Sequence, residues 1–355
     1  MTEQHAYRPV HLAVVGDKGI SGTQAALQQL YPAVEFVAPA AAEVIGFNMF
    51  PAQPLEPKAE VKERIAHAAA QLQNVTTEIV AVCDSVEAVA ALQQVQAGVT
   101  KLATTYGVSA DWHLAITTAT LQRVGFVLQG PEDAYFRGAV RSAAKFHAQN
   151  LALALVMLLR AGVPAAHLQQ QLPRAGVILE TSYQVAQPSV CEQYQGQQLH
   201  WFLDSGSSAA ATDAVLGELT EAAPEAVWAI VAPAAVQTSV VAQASAGSGS
   251  ATAQQQDAAA IRNELLRGAY YGHSCGRVIV VDPAASQATP NSGTIQQQSA
   301  LLQGIAQANG KARLAEISDL TAALQMVAAQ ADPATTVLVS GCLAEPAAKI
   351  LAGEK

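Results

Sequence analysis

The stretch Val10-His-Leu-Ala-Val-Val-Gly16-Asp-Lys18-Gly19-Ile-Ser21-Gly22-Thr-Gln-Ala-Ala-Leu-Gln-Gln-Leu30 decides how this chain reads. Residues 12–15 form an apolar run that breaks at Gly16, and glycines return at 19 and 22 before an alanine-rich segment of helical composition. A second apolar run follows at 34–37, so the passage predicts strand, glycine loop, helix, strand. The Gly-x-x-Gly-x-x-Gly spacing is a variant of the loop that opens βαβ units. Glycines there permit a tight turn and let backbone amides at a helix N-terminus approach a phosphate. Gly16, Lys18, Gly19, Ser21 and Gly22 are the candidate ligand contacts of such a loop.

Working outward, short β-rich runs alternate with helical stretches along most of the chain. Strands are predicted at 10–15, 34–37, 78–82, 113–115 with 125–128, 176–179, 200–203, 227–231, 277–281 and 336–339. Most are continuous apolar runs, as strands covered on both faces read. Helices are predicted at 58–72, 86–94, 209–221, 257–267, 294–308 and 320–331. The alternation argues for an α/β fold of mainly parallel, helix-covered, Rossmann-like sheets. From 131 to 172 the alternation lapses, and the segment reads as a long helix to 161 and a shorter one after Pro164. The expected organisation is an α/β domain over 1–130, a helical connector over 131–175 and a second α/β domain over 176–355. The Ser-Ala-Gly-Ser-Gly-Ser run at 245–250 reads as a surface loop or lid.

Composition narrows the function classes. Hydrophobic residues make up 51% of 355 and charged residues 13%, ample for buried sheets and far from a disordered chain. The net charge of −9, without a run of Lys and Arg, argues against nucleic-acid binding. Residues 1–9 are polar, and the most apolar helical run, 151–159, is about half the ~20 residues a bilayer crossing needs. Cys83, Cys191, Cys275 and Cys342 are scattered without a Cys-x-x-Cys pair, which suits a reducing compartment. The expectation is a cytoplasmic protein with a small-molecule ligand and no membrane partner. Alanine-rich helices such as 325–331 suit a sheet cover or a face between copies of the chain, so a homo-oligomer stays open.

The passage Val14-Val-Gly-Asp-Lys-Gly-Ile-Ser-Gly22, followed by Tyr31-Pro-Ala-Val-Glu-Phe-Val-Ala38, resembles the opening of semialdehyde-dehydrogenase-type and related reductases that bind NADP. That resemblance implies that Gly16, Gly19 and Gly22 line a pyrophosphate and that Lys18 lies over it. A nucleotide or NADP is therefore the cofactor class to consider. The second strand ends in Val37-Ala-Pro-Ala-Ala-Ala, without the acid or base that usually meets the ribose or its 2′-phosphate.

Four further places carry candidate chemistry. Cys83 and Cys342 each follow an apolar strand, where open α/β sheets put their ligand crevice. The pair looks like the two thiols of cofactor-independent aspartate/glutamate-type racemases, one per domain; the bland alternative is core filling. Asp84, next to Cys83, is a candidate substrate contact. In His200-Trp-Phe-Leu-Asp204-Ser205-Gly-Ser207-Ser208, Asp204 closes a strand and can hold a sugar hydroxyl or a metal, Ser205 and Ser207 can meet an anion, and Ser207 or Ser208 can cap a helix. Arg137, Arg141 and Lys145 are four apart and would share one face of the long helix, either solvated or as the wall of a crevice for carboxylate or phosphate groups. Gly272-His-Ser-Cys-Gly276 precedes a strand and so lies at the end opposite the crevice.

Together these readings favour a small-molecule enzyme of open reaction class. Its phosphate-bearing ligand or nucleotide would sit at the loop from Gly16 to Gly22, with an anionic substrate in a cleft between the domains and Cys342, Cys83 and Asp204 as candidate reactive groups. The alternatives are a racemase or isomerase using the two thiols, and a non-enzymatic two-lobed ligand sensor.

Overall fold

In the computed structural model, residues 8–17, 19–49, 51–52, 56–73, 75–104, 108–120, 123–141, 145–175, 183–185, 199–204, 208–223, 227–233, 253–281, 292–308 and 312–351 are described. The chain divides into two compact units, Met1–Thr181 and Ser182–Lys355.

The first unit is built on an eight-stranded sheet. Its strands are β1 (Val10–Gly16), β2 (Val34–Phe36), β3 (Val44–Asn48), β4 (Glu78–Val82), β5 (Val99–Ala103), β6 (Trp112–Thr120), β7 (Arg123–Gln129) and β8 (Tyr135–Val140). They lie in the order β2-β1-β3-β4-β5-β6-β7-β8. Neighbours from β2 to β6 are parallel, and β6, β7 and β8 are antiparallel. Five helices cover it: α1 (Ile20–Leu30), α2 (Lys58–Gln71), α3 (Val86–Leu92), α4 (Lys145–Arg160) and α5 (Ala165–Ala175). In α1, Thr23, Ala26, Leu27 and Leu30 are buried at helical spacing, so one stripe faces the sheet. Successive residues of β1 divide between two cores. Leu12 and Val14 pack with α1, α4 and α5, while Ala13 packs with α2 and α3. The α4 run from His147 to Leu158 is buried on every side, as the central helix of such a layer must be.

The second unit has six strands: β9 (Tyr183–Val185), β10 (His200–Asp204), β11 (Val227–Val231), β12 (Cys275–Val281), β13 (Arg313–Ile317) and β14 (Thr336–Ser340). Their order is β13-β12-β11-β14-β10-β9, all parallel except β9. Its helices are α6 (Ala209–Ala222), α7 (Ala253–Ser274), α8 (Ser292–Gln307), α9 (Leu320–Gln330) and α10 (Ala344–Leu351). Alternate strand residues Trp201, Leu203, Ile279, Val337 and Val339 pack against α9 and α10. Ser208 and Asp319 cap α6 and α9 by accepting from Ala211 N and Ala322 N at 3.1 and 2.8 Å.

The α/β class and the helix-covered, mainly parallel sheets agree with the sequence reading. Segment 131–175 does not form a helical connector. It supplies the outer strand β8 and then α4 and α5, all within the first unit. β3, β5, β9 and β13 are further strands beyond those predicted. The predicted strand at 176–179 and the loop at 245–250 lie outside the described residues. No helix among the described residues is long and apolar enough to cross a membrane.

Candidate functional site

In the first unit the chain runs from β1 through α1 to β2, then returns past β1 to form β3 on its other side. The parallel strands thus have the 2-1-3-4-5-6 order, and connections leave the carboxyl ends of β1 and β3 in opposite directions. That divergence opens the crevice where doubly wound sheets hold their ligands. The glycine turn lies at this point.

Gly16 ends β1 with φ 111°, and a Cβ there would come 1.9 Å from the Asn48 carbonyl oxygen, so no larger residue fits. That same carbonyl accepts from Asp17 N at 3.1 Å. Gly19, at φ 65° and ψ 19°, is the left-handed residue from which α1 departs. A Cβ on Gly19 would lie 2.2 Å from Asn150 Oδ1. Among the described residues no side chain caps α1, and no acid lies in its first turn, so the positive end of its dipole meets no acidic side chain from its own helix. Ser21 is exposed in that turn and Gly22 is buried behind it. Lys18 lies outside the described residues.

Three buried polar residues lie on the elements around the turn: Thr23 within α1, Asn48 at the end of β3 with its backbone beside Gly16, and Asn150 of α4 with its side chain against Gly19. Thr23 is 0% exposed, Asn48 1% and Asn150 2%. Among the described residues, Thr23 Oγ1, Asn48 Nδ2 and Asn150 Oδ1 have no hydrogen-bond partner. A buried polar atom left without a partner costs about 1–3 kcal/mol, so each of these three groups is an energetic liability in the fold as it stands. None was visible as a candidate in the sequence. Asn48 had the best signal, as an Asn directly closing the apolar run Val44-Ile-Gly-Phe; Asn150 lies within the apolar-rich long helix, where nothing local distinguishes it.

The neighbouring charges are engaged. Arg64 on α2 forks onto Glu56 at 3.0 and 3.1 Å and meets Asp17 at 2.6 Å, bracing the turn from outside. Asp84 accepts from Thr104 N at 2.8 Å and from Gln149 Nε2 at 2.9 Å, tying the ends of β4 and β5 to α4. Cys83 is 5% exposed, its Sγ directed at the Ala81 carbonyl. Burial pushes its thiol up to about 11, so near neutrality it stays protonated and is a poor base. His147 on α4 is 1% exposed, and burial alone pulls its imidazole down to about 3.

In the second unit Asp204, 2% exposed, closes β10 in register with Ser340 of β14. Cys342 is exposed in the 3₁₀ turn Gly341–Leu343 that follows β14, its Sγ 3.8 Å from the Pro233 carbonyl. Beneath it Arg267, fully buried, donates Nη1 to both Glu264 oxygens at 2.9 Å. Ser205 and Ser207 lie outside the described residues.

Arg137 and Arg141 correct the sequence reading. They do not share a helix face with Lys145. Arg137 lies in β8, Arg141 directly follows it, and Lys145 begins α4. Both arginines line a cavity in the first unit.

No family model matches the chain. A UDP-N-acetylmuramyl-tripeptide synthetase from Leifsonia xyli subsp. xyli is 33% identical over 87 residues, a stretch covering 24% of this chain and only 17% of that relative's length. Among solved structures, a UDP-N-acetylmuramate-alanine ligase from Thermotoga maritima superposes with a TM-score of 0.62 at 10% identity, covering 98% of this chain and 75% of that one. A folylpolyglutamate synthase from Mycobacterium tuberculosis, in complex with ADP and AMPPCP, gives 0.59 at 12% identity, covering 99% and 92%. At these identities the likeness is one of fold: the chain has the α/β fold that these ligases and synthases share.

Proposed function

We propose that the first unit binds a nucleotide or another phosphate-bearing small molecule at the turn from Gly16 to Gly22, as a small-molecule enzyme would. The observation that carries this reading is a helix N-terminus without a side-chain cap at the β1/β3 crevice, with the unpartnered Oδ1 of buried Asn150 against Gly19. The backbone amides of α1 would meet the phosphate oxygens, and the Asn and Thr groups would take the remaining polar atoms of the guest. The names of the relatives, ligases and synthases of which one holds ADP and AMPPCP, support a nucleotide and a bond-forming reaction.

One residue shapes the reading further. In the phosphate-loop pattern Gly-Lys-Ser/Thr, a lysine at the start of the helix reaches the terminal phosphates. Here Gly19 is followed by Ile20 and Ser21. The turn therefore offers amides and dipole but no ammonium at that position, which favours binding of modest affinity over efficient phosphoryl transfer.

Calorimetric titration of the full chain with ADP, ATP and pyrophosphate tests this. Wild type should bind at least one of them, and Ile20→Lys should bind it roughly tenfold more tightly, the gain of one charge-assisted contact at about 1.4 kcal/mol. Gly19→Val should abolish binding. Failure of all three ligands to bind either wild type or Ile20→Lys would overturn the proposal.

A further inference from the structure

The cavity at the outer edge of the first sheet is lined by Arg123, Arg137, Gly138, Ala139, Val140, Arg141, Leu172 and Pro173, with a volume of about 610 Å³. The strand register explains how three arginines come together. In β8, Phe136 and Val140 face the core, so residues 137, 139 and 141 share the other face. Val140 pairs with Val124 and Ala139 with Gly125, which places Arg141, one step on, across from Arg123. Cross-strand neighbours lie about 5 Å apart, whereas Arg137 is four residues and ~13 Å along the strand from Arg141. Between these two ends Gly138, Ala139 and Val140 line the cavity.

Among the described residues no acidic side chain lines the cavity, and no carboxylate pairs with Arg123, Arg137 or Arg141. In a chain with 28 Asp and Glu against 19 Lys and Arg, three unneutralised guanidiniums around one opening form a positive island. Guanidinium forks match carboxylate and phosphate oxygens two at a time, and the volume suits a small metabolite rather than a single ion. We propose that this cavity binds a small polyanion carrying two or more carboxylate or phosphate groups, one held by Arg123 with Arg141 and the other by Arg137. This site shares no residue with the glycine turn and does not rest on the function proposed there.

The test is calorimetric titration of the full chain with citrate and with tripolyphosphate at low salt. At least one probe should bind with a dissociation constant below about 1 mM. Binding should weaken at least ~tenfold in R137Q/R141Q, persist in Gly19→Val, and fall as salt rises from about 50 to about 200 mM. Citrate alone would identify a carboxylate ligand, tripolyphosphate alone a phosphate ligand, and each supports the site. R137K/R141K keeps the charge but not the fork. It should bind more weakly than wild type and serves as the readout if the Gln variant does not fold. Absence of binding by both probes, or unchanged affinity in R137Q/R141Q, would overturn the proposal. Tripolyphosphate binding lost only in Gly19→Val would do the same, while leaving the function proposed for the turn intact.

Discussion

Two buried titratable side chains make stability depend on a single atom's environment. His147 is held neutral by burial, its pKa drawn from 6.5 to about 3. The unfolded chain takes up a proton near 6.5, whereas the folded one does not until about 3, so this contribution is present above pH 6.5 and is lost as pH falls toward 3. Between pH 7.5 and 4.5 wild type should lose about 2–3 kcal/mol that His147→Gln does not, measurable as the difference between their urea midpoints. Equal pH slopes would show that His147 is not held neutral. Arg267 is the opposite case, a buried cation with Glu264 on its Nη1. Glu264→Gln leaves that charge without its counterion and should destabilise the second unit by about 3–5 kcal/mol. A loss under ~1 kcal/mol would mean that Arg267 is neutralised by another group.

At the scale of elements, the packing of α7 on α8 rests on glycines. A Cβ on Gly304 would fall 2.1 Å from the Leu265 carbonyl, and one on Gly268 would fall 2.1 Å from that of Leu301. Gly304→Val should therefore separate the helices at a cost of at least about 1–3 kcal/mol. Gly217, on the exposed side of α6, meets nothing within 4 Å. Gly217→Ala should instead stabilise by about 0.5–1 kcal/mol, and thermal melts of the two variants should move in opposite directions. The same scale explains which elements the sequence revealed. β1, β4, β10, β11, β12 and β14 are continuous apolar runs, legible because both faces are covered. β3 follows β2 with only a 3₁₀ turn at Pro39–Ala41 between, against the strict alternation expected. β8 alternates as an outer strand does, but Arg137, Arg141 and Lys145 also fit a helical spacing. At the site, Gly16 and Gly19 were legible because a tight turn is a local demand on the backbone. Thr23, Asn48, Asn150 and Arg123 were not, because their surroundings are set by strand order and helix docking rather than by the local sequence.

For the whole molecule, the decisive fact is that each unit closes its own core. The buried clusters around β1, α1 and α4 and around β1, β3, α2 and α3 draw only on the first unit, and the cluster around β10, β14, α9 and α10 draws only on the second. A domain with its own core and ~175 residues has enough buried surface to unfold cooperatively by itself. Scanning calorimetry of the full chain should then resolve two transitions. Acidification to pH 4.5 should lower the one that contains His147, and Glu264→Gln should lower the other. ADP, if it binds the glycine turn as proposed, should raise only the transition that acid lowers, by about 2.7 kcal/mol at a hundredfold its dissociation constant. The three perturbations thus assign each transition to a unit without cutting the chain. A single transition displaced by all three would mean that the units unfold as one, and the separate cores would then be coupled by contacts as strong as those within them.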